Sequence, residues 1–452
     1  MLACIRKFLK WLRGKWHRDI TTLMNEQYAL CQEKRREETG VMSRGLHEMY
    51  DLGQARMEEK INALGQKLTP APAPRTERAA EGIEDLAHRL EIEKAFSLLQ
   101  DRESQKLFWA RLHFSEYGDV VPLFRLLMQM DRTGNPKDLI SLLRDRIDRK
   151  NQERELILFG TTGNARELFL TAWRLGCKAD YVCKEDTPDE FTYSTAPALR
   201  DFDWNGVPII TEDELFRHHR DAQVMIGDIR CGVCKWYLVQ KGFPADQIFQ
   251  RHTQWDVQYL DAELMRPGEH EVYVDGGVLD LTNTLEFIEW CGGRYDDVYA
   301  FEPDTQSYAR CLDRIQTDSR LDEQKVHLLH AALWKRDENL VFRDGNGGSS
   351  TVDAEGNSTI QGRSIDSVLQ GKPVTFIKLD IEGAEMDALI GARMSIKKWK
   401  PRLAVCVYHR REDLVEIPLY IHGLVPEYKM YLRHYSTCRA ETVLYCIYDP
   451  EQ

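Results

Sequence analysis

The sequence contains no uninterrupted apolar run of the roughly 18 residues that a membrane-spanning helix needs. It also lacks an excess of positive charge, because its formal net charge is −12. That charge argues against general nucleic-acid binding, which requires a basic face. The first residues, MLACIRKFLKWLRGKWHR, are interrupted by charge and show no small-residue cleavage site of a signal peptide. We therefore expect a cytoplasmic protein.

Paired cysteine motifs are scarce as well. The chain has 11 cysteines, an odd number, scattered through strand-like and helix-like segments. This distribution is typical of reduced thiols in a cytosol rather than of a disulfide framework. Cys231 and Cys234 have CxxC spacing, but neither a second CxxC nor a nearby histidine pair completes a zinc set. We interpret the pair as structural.

The length of 452 residues predicts two or three domains, and the hydrophobic fraction of 42% is that of a globular protein. Changes in apolar periodicity divide the chain into five parts. These are a helical, basic amphipathic amino terminus (1–66), a Pro/Ala-rich linker (67–82), a helical region (83–150), a Rossmann-like α/β domain (153–260) and a second α/β domain (271–450).

The amino terminus predicts an amphipathic helix with basic flanks. Its apolar residues fall on one face at helical spacing, and lysines and arginines surround that face: Ile5, Phe8, Leu9, Leu12 and Trp16. Such a helix can lie on an anionic membrane surface, which would give residues 1–20 a peripheral contact at the cytoplasmic face. It can equally pack on its own domain. The sequence leaves both alternatives open.

Residues 153–260 alternate between short apolar strands and amphipathic helices, which predicts a parallel sheet. The turn Gly160-Thr161-Thr162-Gly163 follows the first strand and precedes a helix, so its backbone N–H groups could bind an anion. However, it lacks the GxGxxG spacing of a dinucleotide site. A tight turn that binds nothing is the alternative.

In residues 271–450, four predicted strands each end in an ionisable residue. Asp275, Glu302, Asp380 and His409 follow the first, second, fourth and fifth strands. The carboxyl ends of parallel strands form one edge of a sheet, and ligands bind at that edge. Acidic residues that stabilise a helix amino terminus would explain Glu382 and Glu385 equally well, but not four separate strand ends.

The first strand end indicates which ligand to expect. A nicotinamide dinucleotide would place its pyrophosphate there, against the like charge of Asp275. S-adenosylmethionine carries a sulfonium, an ammonium and no phosphate, so it suits a carboxylate better. Gly276 and Gly277 would allow close backbone approach, and Glu302 could accept both ribose hydroxyls. A nicotinamide-dependent enzyme that acts on nucleotide sugars, with its cofactor in residues 153–260, is the alternative.

The blocks VDGG, YAFEPD, AALW, SIDSVL and FIKLDIEGAEMDALIGA, in this order and spacing, resemble the FkbM-type S-adenosylmethionine-dependent methyltransferases over roughly residues 271–450, and the ending resembles a bacterial branch. The resemblance implies a class I methyltransferase fold and O-methylation of a sugar, polysaccharide or secondary metabolite. It places the residues that bind the methyl donor at Asp275, Gly276, Gly277, Glu302 and Ala331. It places the acidic block at Asp380, Glu382 and Glu385.

The sequence departs from the family pattern near Leu281, where relatives carry a further glycine or an Asn-rich turn. A domain that has lost activity and serves as a non-catalytic scaffold is therefore a third interpretation. Residues 153–260 are similar to the amino-terminal nucleotide-binding-like domains of some relatives.

For catalysis we expect His409 to be the general base, because its ordinary pKa near 6.5 is close to working pH. Asp380 would then orient it or accept the acceptor hydroxyl directly, and Glu385 is a further catalytic candidate. A divalent cation that joins Asp380 and Glu382 or Glu385 to the hydroxyl is a variant of this scheme. Alternatively, His409 only caps its strand and pairs with Glu412 or Asp413.

Overall fold

The computed structural model describes residues 88–130, 138–148, 154–184, 202–227, 231–251, 258–345 and 347–449. The predicted basic helix and the linker at 67–82 lie outside these residues. Residues 84–452 belong to one compact unit. Within the described ranges, no helix is both long enough and apolar enough to cross a bilayer.

The first described part is helical, as its apolar spacing predicts. Residues 88–97 are helical, and three helices follow: α1 (Arg102–Tyr117), α2 (Val121–Met130) and α3 (Leu139–Ile147). Helix α1 begins after Asp101, whose side chain accepts a 2.8 Å hydrogen bond from the Ser104 N–H. It ends at Gly118, which has a φ of 67°. A left-handed residue of this kind is a common helix terminator because glycine has no Cβ to clash.

A five-stranded parallel sheet comes next, in the order β3-β2-β1-β4-β5. Its central strands are buried on both faces and read as continuous apolar runs. Its elements are β1 (Leu156–Phe159), α4 (Gly163–Leu175), β2 (Tyr181–Cys183), β3 (Ile209–Ile210), α5 (Glu212–His218), β4 (Gln223–Ile226), α6 (Cys231–Gln240) and β5 (Ile248–Phe249).

The carboxyl-terminal part is built on a seven-stranded sheet in the order β15-β16-β14-β13-β6-β7-β8. Its strands are β6 (Glu271–Gly276), β7 (Tyr295–Phe301), β8 (Val326–Leu329), β13 (Phe376–Leu379), β14 (Arg402–Cys406), β15 (Lys429–His434) and β16 (Thr442–Ile447). The connecting helices are α7 (Thr282–Trp290), α8 (Thr305–Thr317), α9 (Ile365–Leu369), α10 (Glu385–Gly391), α11 (Arg393–Trp399) and α12 (Asp413–Leu424).

Pairing within this sheet is parallel except at the strand β16. Strands β8, β7, β6, β13 and β14 run in the same direction, while β16 is antiparallel to both β14 and β15. Counted along the chain, the order is 3-2-1-4-5-7-6 with the seventh strand reversed, which is the arrangement of class I methyltransferases. The predicted α/β class and the final hairpin are confirmed.

The structure corrects one part of the predicted topology. The segment VHLLHAALW is not a single strand, because β8 ends at Leu329 and a short strand β9 (Ala332–Leu333) enters another sheet. That sheet has the order β11-β10-β12-β9 and includes β10 (Glu338–Arg343), β11 (Thr351–Val352) and β12 (Ser358–Arg363). Five strand–helix units and a hairpin therefore do not account for the whole segment.

The helical region packs against the edge of the seven-stranded sheet. Helix α1 contacts β15, where the Leu432 N–H donates a 2.8 Å hydrogen bond to the Ser104 hydroxyl. The guanidinium of Arg433 lies 2.6 Å from Asp101 and its side chain is almost fully buried. Leu99 forms a parallel bridge with Met430 just before the helix. The amino-terminal helices thus share a core with the carboxyl-terminal sheet.

Candidate active site

The turn after β6 brings the main chain close to its neighbour. Gly277 has a φ of 75°, a left-handed conformation that favours glycine. A Cβ at Gly277 would clash with the carbonyl oxygen of Asp380, and one at Gly276 would come within 2.8 Å of Leu333. Gly277 is therefore required by the close approach of the Asp380 carbonyl and Gly276 by its contact with Leu333, and the two glycines leave this turn without side chains.

A buried ion pair lies next to the turn and hydrogen-bonds to its carbonyl groups. Asp275 and Lys378 are both fully buried, and their charged atoms lie 3.2 Å apart. The Lys378 ammonium also donates to the carbonyls of Gly276 (2.9 Å) and Gly277 (2.7 Å), while the Thr284 hydroxyl donates to Asp275. Asp275 thus already has a cationic partner inside the protein. Its expected attraction for a cationic ligand is offset by Lys378, and its contact with the donor stays a prediction.

Glu302 follows β7, next to this turn. Its two carboxylate oxygens accept 2.8 Å hydrogen bonds from the N–H groups of Leu279 and Asp304. Burial raises the pKa of Glu302 to about 7. The Glu302 N–H donates to the carbonyl of Leu329, so the end of β8 and the buried Ala331 lie beside it. The expected donor residues therefore share one sheet edge.

Near Leu281, where the sequence departs from the family pattern, two residues have a left-handed backbone conformation that is strained for residues other than glycine. Leu279 and Leu281 have φ values of 52° and 64°, although neither is glycine. Leu281 is fully buried in a hydrophobic cluster that includes Tyr273 and Phe287, and this packing stabilises its conformation. The loop thus forms a left-handed turn at two residues other than glycine, at a conformational cost of order 1–3 kcal/mol for each residue.

The acidic block follows β13 and separates into different environments. Glu385 is fully buried and accepts 2.9 Å and 2.8 Å hydrogen bonds from the Ile381 N–H and from the His409 Nδ1. Asp380 and Glu382 are partly exposed, with 23% and 36% of their side chains accessible. Glu382 has a φ of 55°. Glu385 thus holds the histidine, whereas the other two carboxylates face outward.

His409 lies among these three carboxylates. Its Nε2 is 3.5 Å from Asp380 Oδ1 and 3.6 Å from Glu382 Oε1. Burial by itself would lower the pKa of His409, but Glu382, Glu385 and Asp380 together raise it to about 11. The metal-free imidazole therefore carries its proton at neutral pH and cannot accept another. The expected pairing of His409 with Glu412 or Asp413 is replaced by the bond to Glu385, and a role of His409 as general base stays a prediction.

Several residues near Asp380 were missed by sequence reasoning. The hydroxyls of Tyr259 and Tyr408 donate to the two Asp380 oxygens at 2.7 Å and 3.1 Å. Gln258 donates to Tyr259 and to Glu441. Burial, assisted by the Asp380 charge, raises the pKa of Glu441 to about 7.

Lys378 had a sequence signal, since it is a charge inside the apolar run TFIKLD. Tyr408 is the neighbour of His409 in sequence. Tyr259 and Glu441 reach the site only through the fold.

Sequence comparison identifies the carboxyl-terminal part. Residues 274–434 match the family model described as the Methyltransferase FkbM domain. This part of the chain is an FkbM methyltransferase domain. The match contains the glycine turn, Glu302, the acidic block and His409, and it ends at the last residue of β15. A search of curated proteins finds no match.

Solved structures similar to the chain include other methyltransferases. A methyltransferase FkbM from Methylobacillus flagellatus is 20% identical, with a TM-score of 0.41 over 72% of this chain and 98% of that chain. An rRNA methylase from Streptococcus thermophilus is 15% identical, with a TM-score of 0.27 over 41% and 89%. Fibrillarin from Aeropyrum pernix, solved with natively bound S-adenosyl-L-methionine, is 9% identical, with a TM-score of 0.26 over 40% and 67%.

Proposed function

We propose that the FkbM domain transfers a methyl group from S-adenosylmethionine to a hydroxyl group of a sugar, polysaccharide or secondary metabolite. The observation that carries this proposal is the pairing of a turn free of side chains at Gly276 and Gly277 with Glu302 at the adjacent strand end. In a doubly wound sheet, such a turn admits a ligand close to the backbone, and an acidic residue beside it accepts ribose hydroxyls.

The charges around the turn support a donor without phosphate. Glu302 and the pair of Asp275 with Lys378 present no net positive charge to a pyrophosphate. A ribose that donates to Glu302 favours its ionised form, because a hydrogen bond to a carboxylate stabilises the charge. Donor binding and ionisation of Glu302 are therefore linked.

The acceptor side of the proposed site is formed by the partly exposed carboxylates. In methyl transfer, the acceptor oxygen forms a bond to the methyl carbon while the carbon–sulfur bond breaks and its electron pair remains on sulfur. The oxygen must also lose its proton. Asp380 is suited to accept a hydrogen bond from an acceptor hydroxyl. Burial opposes its ionisation, but Lys378 and His409 outweigh it and lower the Asp380 pKa. Tyr259 and Tyr408 fix its orientation.

The first experiment measures donor binding to the full chain. Titration calorimetry should show binding of S-adenosylhomocysteine, and Glu302→Ala should weaken it about 10- to 150-fold, which is the loss of a charge-assisted hydrogen bond worth roughly 1.5–3 kcal/mol. The matched control is Lys184→Ala, which changes the residue after the second strand of the other sheet and should leave the affinity within about twofold. Binding of NADH instead of S-adenosylhomocysteine would contradict the proposal.

The second experiment measures turnover. Methyl transfer from labelled S-adenosylmethionine is followed on a panel of sugars and polysaccharides. With an accepted alcohol, Asp380→Asn should reduce turnover by roughly 10²–10⁴, the range for loss of a positioned acid or base. Its donor affinity should remain within a few-fold of the unmodified protein. Donor binding without transfer to any hydroxyl compound would favour a different acceptor class, and absence of donor binding would favour the non-catalytic scaffold.

A further inference from the structure

Three potential metal ligands converge at the ends of β13 and β14. They are Asp380, Glu382 and His409, and each offers one atom such that all three atoms lie within 4.8 Å of one another. The sequence-based variant of a cation site used Asp380 and either Glu382 or Glu385 as ligands. The structure instead places Glu385 behind His409, where it binds the Nδ1 atom and leaves Nε2 facing the two carboxylates.

The spacing of the three atoms suits a single metal ion. Nitrogen and oxygen ligands lie about 2.1 Å from a first-row divalent metal. Two such ligands are then about 3.0 Å apart at a right angle and about 3.4–3.6 Å apart at angles of 109–120°. The observed separations from His409 Nε2 are 3.5 Å to Asp380 and 3.6 Å to Glu382. The Asp380 and Glu382 oxygens lie within 4.8 Å of each other.

The His409 Nε2 atom supplies independent evidence for a missing ligand. Only 9% of the His409 side chain is exposed, and its Nε2 is buried without a hydrogen-bond partner. The two carboxylate oxygens are too distant for good hydrogen bonds. Buried polar atoms normally have a partner, so each exception needs an explanation. A cation between Nε2 and the two oxygens would give this nitrogen a partner.

The surrounding residues match the outer shell of a metal site. A histidine ligand usually bonds through its other ring nitrogen to a carboxylate, and carboxylate ligands usually accept hydrogen bonds from further groups. Glu385 provides the first interaction, and it is itself fixed by the Ile381 N–H. Tyr259 and Tyr408 provide the second by donating to Asp380.

The local charge also favours a cation. Asp380, Glu382 and Glu385 surround one histidine, and the buried ammonium of Lys378, which is 3.2 Å from Asp275, also lowers the pKa of Asp380. Several carboxylates that share one partly buried site are costly unless positive charge compensates them. Carboxylate and imidazole together suit Mn²⁺, Fe²⁺ and Zn²⁺.

We propose that Asp380, Glu382 and His409 bind one first-row divalent metal ion, with Glu385 as the residue that orients His409. The two outward carboxylates leave the site accessible to solvent, and an open metal position could bind the acceptor hydroxyl. This role rests on the proposed function. Coordination would lower the pKa of the hydroxyl. Its proton would pass to solvent, and the oxygen would keep the electron pair that forms the bond to the methyl carbon.

The test uses the tag-free full chain, stripped with a chelator and titrated with Mn²⁺ by calorimetry and electron paramagnetic resonance. Mn²⁺ is chosen because the free thiols among the described residues could bind Zn²⁺ elsewhere. We expect one saturable site for each chain. Glu382→Gln changes a partly exposed residue and should weaken binding at least tenfold. Glu385→Gln should weaken it about 10- to 100-fold, as for loss of an outer-shell partner.

The control is Asp297→Asn, which alters a histidine–carboxylate pair that has no third potential ligand among the described residues. Asp297 lies 2.6 Å from His327 on the neighbouring strands β7 and β8. Its variant should bind Mn²⁺ within about twofold of the unmodified protein. Thermal unfolding without metal confirms that each variant is folded. Equal affinities for Glu382→Gln and Asp297→Asn, or absence of saturable binding at millimolar Mn²⁺, would overturn the proposal.

Titration of the same samples with S-adenosylhomocysteine separates the two proposals. Donor binding without Mn²⁺ binding refutes the metal site and leaves the methyl-donor assignment intact. Mn²⁺ binding that depends on Glu382, without donor binding, supports the metal site and refutes the donor assignment.

Discussion

The five-stranded parallel sheet and the largely parallel seven-stranded sheet differ in the chemistry of their strand ends. In the five-stranded sheet, the residues that directly follow the strands are Gly160, Lys184, Thr211, Gly227 and Gln250. In the seven-stranded sheet, Glu302 and Asp380 directly follow β7 and β13, Asp275 is the last residue but one of β6, and His409 lies three residues after the end of β14. Among the described residues, three carboxylates and a histidine lie at the strand ends of the seven-stranded sheet, whereas Lys184 is the ionisable residue that directly follows a strand of the five-stranded sheet. Fold alone therefore does not predict a site, and the residues at the strand ends do.

The largest expected effect concerns the buried charge that only the seven-stranded sheet contains. Lys378→Met leaves Asp275 fully buried without a cation, and we expect the free energy of unfolding to fall by about 3–5 kcal/mol. Urea denaturation measures the change. Arg217→Ala in the other region removes an exposed pair with Asp213, which should cost only about 0.3–0.5 kcal/mol.

The double variant Asp275→Asn/Lys378→Met refines this comparison. It removes both charges, so it should be more stable than Lys378→Met alone. If Lys378→Met cost no more than Arg217→Ala, the ion pair would not support the turn as described.

The second comparison uses the glycines that follow the first strand of each sheet. Gly277→Ala introduces a Cβ against the Asp380 carbonyl in a left-handed conformation, so stability should fall by roughly 1–3 kcal/mol. Gly163 begins α4, and no atom lies within 4 Å of the position that a Cβ on this residue would occupy. Gly163→Ala should therefore stabilise the protein by about 0.4–1 kcal/mol. Thermal and urea unfolding give both values, and changes of the same sign would contradict the packing difference.

The smallest expected effect is a pH dependence of donor binding. The folded pKa of Glu302, about 7, is above its ordinary value of 4.5. The native state therefore loses stability as pH rises from about 4.5 through about 7. The ionised carboxylate is the form that accepts ribose hydroxyls, so donor affinity should increase about tenfold between pH 6 and pH 8. Calorimetry at several pH values measures this rise, and Glu302→Gln should show a flat profile. An equal rise in the variant would assign the effect to another group.

The local sequence predicted where the strand ends lie but not what their side chains contact. Asp275, Glu302 and Asp380 fall at the expected edge because a buried strand is a short apolar run whose end is visible in sequence. The pairing of Lys378 with Asp275 and that of Glu385 with His409 depend on side-chain directions across neighbouring strands. The pKa of His409 in the protein could not be predicted from its ordinary value for the same reason, because its three carboxylate neighbours come together only in the folded chain.

The four-stranded sheet was missed for a different reason. Residues 344–358, DGNGGSSTVDAEGNS, are rich in glycine, serine, asparagine and aspartate, which favour turns. The flanking strands β10 and β12 alternate between buried and exposed residues over only six positions each. Such short alternation between turn-rich segments gives a weak signal, and the pairing of β12 with β9 is not local.

The contact between α1 and β15 limits how the chain can be divided. Strand β15 is the outermost strand of the seven-stranded sheet, and unpaired outer strands promote aggregation. The Gln100 N–H donates to Met430, and Asp101 neutralises Arg433. A fragment that began at residue 271 would expose this strand and leave a buried guanidinium without its counter-ion. The helical segment thus covers the edge strand of the methyltransferase sheet. A fusion protein that carries this sheet would have to include the helical segment.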